Sequence, residues 1–188
     1  MRFFNLFSRS SPASDAADAL YKSVVDKSRD AMFYAKFGVP DTVDGRFDMI
    51  IIHAMLVFRQ LRNGGKEAAA TGQAFFDLMF KDMDRSLREM GVGDLGVARH
   101  IKKMAKAFYG RAAMYEDGLD GNEETLTHAL ERNLFRHGSD QLESINGVAD
   151  YLRRVAVHTG AQNVTDITSG HIDFGVQMMG EGHEKSPS

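Results

Sequence analysis

Residues 47–61 read FDMIIIHAMLVFRQL, and whether they form a strand or a helix decides the fold. Three consecutive isoleucines suit a buried strand, but the run is long and continues through Ala54, Met55 and Leu56, which favours a helix. Apolar side chains then point in nearly every direction around its axis, as in a helix enclosed by others rather than one lying on a surface. This segment is therefore read as the central helix. His53 inside it has no second ligand at helical spacing, so it reads as a core histidine with a hydrogen-bond partner rather than a heme or metal ligand.

Working outward, Asn63, Gly64 and Gly65 end this helix and residues 66–90 form the next. There Phe76, Phe80, Met83, Leu87 and Met90 recur at steps of four and three, a pattern that places them on one face, toward the core. Asp82, Asp84, Arg85, Arg88 and Glu89 fall mostly off it. Gly91, Gly93 and Gly96 break the helix, because glycine takes left-handed conformations without a steric penalty and commonly follows a helix end. Asp94 is the expected N-cap of the following helix. That helix has an apolar stripe, Val97, Ile101, Met104, Phe108, Ala112 and Tyr115, opposite a cationic one, Arg99, Lys102, Lys103 and Lys106. Lysines usually sit on solvated faces, yet four clustered cations without an interleaved acid suit an anionic partner.

Toward the N-terminus, residues 8–13 (SRSSPA) read as a linker and the helical pattern begins at Ser14 or Asp15. Leu20, Val24, Val25, Ser28, Met32 and Ala35 give one helix ending near Gly38. Pro40 forces a break, and Thr42 or Asp44 can cap the central helix. Toward the C-terminus a loop at 118–121 precedes a fifth helix, capped by Asn122, with Leu126, Leu130, Asn133, Leu134 and His137 inward and Gly138 at its end. A sixth uses Leu142, Ile145, Ala149, Leu152 and Val155 and stops at Gly160, while 164–174 has no clear pattern. The expected fold is an all-α, single-domain bundle of about six helices with flexible N- and C-terminal tails. Its bounds are a tail or linker at 1–13, a helical domain at 14–175 and a disordered tail at 176–188.

A chain of 188 residues with 43% hydrophobic content can bury an ordinary core. It contains no cysteine, which excludes disulfides, thiolate metal sites and cysteine nucleophiles. A net charge of -3 and a pI near 6.2 argue against a bulk nucleic-acid binder, so no DNA partner is expected. The longest apolar run is about half of what spans a bilayer. Phe3, Phe4 and Phe7 could dip into a lipid interface, although a frayed tail explains them as well. Gly91-x-Gly93-x-x-Gly96 matches the dinucleotide fingerprint literally, but that motif works when a strand feeds the turn, and here a helix does. Gly64-Gly65-Lys66 lacks the spacing of a phosphate loop, the histidines form no HExxH pair, and no GxSxG elbow exists. No enzymatic activity and no cofactor are expected.

Residues 80–110, FKDMDRSLREMGVGDLGVARHIKKMAKAFYG, resemble the signature of the ubiquinol-cytochrome c chaperone family. The resemblance extends to Phe37-Gly38-Val39-Pro40-Asp41-Thr42, to Gly45-Arg46-Phe47-Asp48 and to Ala129-Leu130-Glu131-Arg132-Asn133, covering roughly residues 20–136. It implies an assembly factor for the bc1 respiratory complex that receives newly made cytochrome b and holds it until heme and partner subunits are added. It also implies, in mitochondrial relatives, a small partner subunit near the ribosome exit region. The expected place is the cytoplasm peripheral to the inner membrane in a bacterium, or the mitochondrial matrix in a eukaryote.

The expected partner-binding set lies on this signature: Asp82, Asp84, Arg85 and Arg88, then Gly91, Gly93, Asp94 and Gly96, then Arg99, Lys102, Lys103, Lys106, Tyr109 and Gly110. Flexible methionines at 49, 55, 79, 83, 90 and 104 are candidates for apolar client contact, with ordinary core as the simpler reading. The alternatives are a small helical adaptor for anions, RNA or a membrane surface, and a heme-binding protein.

Overall fold

The structure, a computed structural model, describes residues 11–121, 123–136 and 142–175. The Phe3, Phe4 and Phe7 anchor, the Asn122 cap, His137, Gly138 and the 176–188 tail lie outside the described residues. Among the described residues the chain is all-α. Its helices are α1 (Pro12–Ser28), α2 (Ala31–Ala35), α3 (Val43–Leu61), α4 (Gly65–Glu89), α5 (Asp94–Asp120), α6 (Glu123–Leu130), α7 (Leu142–Gly160) and α8 (Val164–Thr168). A π-helical turn, Glu131–Phe135, continues α6.

α3 is the central helix. It packs against α1, α4, α5, the π turn, α7 and α8, and Met49, Ile51, Ile52, Ala54 and Leu56 are wholly buried. Its N-cap is Thr42, whose hydroxyl accepts from the Gly45 amide at 3.1 Å. α4 buries Phe75, Met79, Phe80 and Met83, so its core face centres one position away from the expected Phe76 stripe, and Met90 ends 58% exposed. On α7 the expected inward residues are buried except Leu142, which is exposed at the first position of the helix.

The boundaries differ from the sequence-based expectation in four places. Pro12 and Ala13 belong to α1 rather than to a linker, because Ser11 caps it by accepting from the Ser14 amide and Pro12 suits the first helical turn. The single first helix is two: Asp30 accepts from the Met32 amide and starts α2, which turns Phe33 into the core. α5 runs through Gly118 to Asp120 instead of looping there, since Gly118 faces α6 and a Cβ on it would lie 2.7 Å from the Leu126 Cα. Finally, residues 164–168 form α8, capped by Asn163, and Thr71 donates to the Thr168 carbonyl at 3.1 Å to tie it to α4.

Candidate functional site

The turn between α4 and α5 closes as a helix C-cap. Gly91 takes φ +83°, its amide donates to Arg88 O, and the Val92 amide donates to Leu87 O; this paired arrangement satisfies the last carbonyls of α4. A left-handed residue with open space around it is what glycine supplies here. Asp94 does not cap α5. Gly93 occupies the N-cap position with no side-chain cap bond, and the Asp94 carboxylate instead pairs with Arg88, which also binds Asp84 at 2.6 Å. Arg85 pairs with Asp82 and, at 3.8 Å, with Glu89, while Tyr21 on α1 donates to Asp82 at 2.9 Å. The charged turn residues are thus spoken for by one another, and Arg85 and Arg88 do not extend the cationic stripe as free charges.

That stripe itself is open. Arg99, Lys102, Lys103 and Lys106 are all exposed, and none has an ion-pair partner among the described residues. The apolar stripe opposite them faces inward, with Val97, Phe108 and Tyr115 buried and Ile101, Met104 and Ala112 half-buried. Tyr109, 61% exposed, lies with its ring stacked on Phe76 at 5.6 Å. Gly110 has open space beside it.

Beside Tyr109 an apolar groove of about 510 Å³ opens between α3, α4 and α5. Phe58, Gly72, Phe76, Phe108, Tyr109 and Ala112 form much of its lining. Its aromatics hold each other edge-on, Phe58 to Phe108 at 5.8 Å and Phe76 to Phe108 at 5.9 Å, the preferred geometry for ring quadrupoles. Arg62 and Glu116, which pair with each other, also border it. Of the six candidate methionines only Met55 reaches this groove; Met49, Met79 and Met83 are core, Met104 is half-buried and Met90 stands exposed at the turn. The groove was not foreseen from sequence. Small residues Ala69, Gly72, Ala112 and Ala113 interspersed with aromatics on two neighbouring helices were its available signal.

Two buried polar sites fix α3 to its neighbours. Asp48 on α3, fully buried, accepts from Arg111 of α5 and, at 2.7 Å, from Arg136 just after the π turn. Arg136 holds φ 51° and reaches Asp44 as well, at 2.6 Å. Burial pushes the Asp48 carboxyl up to about 6 although both guanidiniums pull it down. Nearby, the Tyr115 hydroxyl is buried without a hydrogen-bond partner among the described residues. The second site is His53, whose Nδ1 lies 2.8 Å from Met49 O and 3.1 Å from Ser28 Oγ, and whose Nε2 lies 2.8 Å from the Tyr151 hydroxyl. Both ring nitrogens are engaged inside the core, so neither is open to a heme iron. Burial lowers its pKa to about 4.

Fold and site together describe an all-α protein with two outward features: an aromatic groove and, beside it, a basic helix face without ion-pair partners among the described residues. Residues 35–174 match the family described as Ubiquinol-cytochrome C chaperone, and the chain belongs to that family. It is 22% identical over 152 residues to ubiquinol-cytochrome c reductase complex assembly factor 1 of Mus musculus, covering 81% of this chain and 52% of the relative. The Xenopus laevis protein of the same name is 22% identical over 139 residues, covering 74% and 70%. The chain spans about half the length of the mouse and human relatives. Among solved structures, the Cbp3 homolog from Brucella abortus superposes with a TM-score of 0.77 at 32% identity, over 90% of this chain and 96% of that one.

Proposed function

We propose that this protein is an assembly factor for the ubiquinol-cytochrome c reductase (bc1) complex and that newly made cytochrome b is its client. Family membership supports the complex, since the relatives carry that role in their names. The aromatic groove carries the client. A membrane subunit awaiting assembly exposes apolar helix faces, and such faces lay a few large side chains into hydrophobic grooves at helical spacing. A groove of about 510 Å³ has room for a few such side chains, not for a whole helix. No described helix of this chain is long and apolar enough to cross a membrane. The signature residues of the α4–α5 turn act here as the frame that holds the two groove walls at their spacing.

Photocrosslinking tests this reading. A photoreactive residue at Ala113, exposed on the α5 wall, is expected to capture radiolabelled cytochrome b during its synthesis. The same residue at Val157, 75% exposed on α7, is the control. Capture from Val157 but not from Ala113 would remove the groove from the account.

A further inference from the structure

The outward face of α5 carries more than cations. Leu95, Arg99, Lys102, Lys103, Lys106 and Tyr109 stand at i, i+4, i+7, i+8, i+11 and i+14, one continuous face of a helix. Leu95 is 87% exposed at one end and Tyr109 is 61% exposed at the other. No acid occurs anywhere in residues 95–115. At the turn, Met90 adds a second exposed aliphatic side chain close in sequence to Leu95.

We propose that this face is a lipid interface, on which α5 lies against an anionic bilayer with its cations at the headgroups and Leu95 and Tyr109 dipping among them. The inference rests on residues other than the groove floor and extends the proposed function by setting the groove mouth, through Tyr109, at the membrane surface. Two observations select lipid over nucleic acid. An aliphatic residue as exposed as Leu95 gains from an acyl boundary and nothing from phosphates. One face of the Tyr109 ring is already covered by Phe76, which limits it as a base-stacking platform. The acids near the turn, Asp82, Asp84, Glu89 and Asp94, are each paired with Arg85 or Arg88, which offsets part of their repulsion of an anionic surface.

The test is sedimentation of the full-length protein with vesicles of phosphatidylglycerol and cardiolipin, against vesicles of phosphatidylcholine. Binding is expected to the anionic vesicles only and to weaken with salt. Lys102→Gln with Lys103→Gln is expected to lower the partition roughly 25-fold, about fivefold per cation. Leu95→Glu is expected to lower it roughly tenfold or more, with unchanged thermal melting because the side chain is exposed. Since the native chain has no cysteine, Leu95→Cys carrying an environment-sensitive dye gives a second readout: its emission shifts blue on anionic vesicles, and that of labelled Val157→Cys does not. Equal binding to neutral vesicles, wild-type binding by Leu95→Glu, or no blue shift at position 95 would overturn the proposal. Displacement from vesicles by single-stranded RNA at equal phosphate, with RNA binding indifferent to Leu95→Glu, would do so as well and assign the face to nucleic acid.

Discussion

Asp48 and His53 sit five residues apart on α3, and both are fully buried, yet their titrations act on stability in opposite directions. The folded pKa of His53, about 4, lies below the usual 6.5, so its contribution is complete above 6.5 and is lost as pH falls toward 4. That loss is about 3 kcal/mol at most. Asp48, raised from 3.8 to about 6, contributes fully below 3.8 and loses its contribution as pH rises through 6. Between pH 4 and 6 the two offset each other. Urea unfolding across this range is therefore expected to show a shallower pH dependence for wild type than for Asp48→Asn, whose stability should fall steadily from pH 6.5 to 4. Parallel profiles would mean that Asp48 does not titrate in this window.

At the scale of elements, the hairpin of α4 and α5 is held by packing and by the glycine turn more than by its charges. Asp94 is 86% exposed in its pair with Arg88, and exposed ion pairs contribute roughly 0–1 kcal/mol. Asp94→Ala is accordingly expected to shift the melting midpoint by no more than about 4 °C, and the shift should vanish at 1 M salt; a larger, salt-independent drop would restore Asp94 as a helix cap. Much at this scale was legible in the sequence. The all-round apolarity of residues 47–61 marked α3 as central, and the two stripes of α5 faced as their spacing dictates. What escaped were events decided by tertiary contact: the break at Arg29 and Asp30, which lets Phe33 pack edge-on to His53 at 5.6 Å and Tyr151 at 4.9 Å; the π turn whose Arg136 reaches Asp48; and the continuation of α5 through Gly118. Pairing of the turn's acids with Arg85 and Arg88 was equally invisible, because spacing shows which side chains can meet and not which do. The groove belongs to three helices and so to no single periodicity.

At the scale of the molecule, α3 is wrapped by its neighbours, and the side of the bundle formed by α4 and α5 presents both outward features, the apolar groove and the basic face, joined at Tyr109. Under the proposed function the protein needs an apolar surface for its client and a means of waiting where the client emerges, and these two contiguous features are the surfaces proposed for the two tasks. The most direct measurement is the reduced-minus-oxidised heme spectrum of membranes from a strain lacking the gene and re-supplied with wild type or with Ala69→Glu plus Ala113→Glu, exposed groove-wall changes that leave the core untouched. The account predicts loss of the b- and c-type hemes of the bc1 complex in the deletion strain, restored by wild type and not by the groove variant at equal protein level. Normal bc1 hemes in the deletion strain, or full restoration by the groove variant, would contradict it.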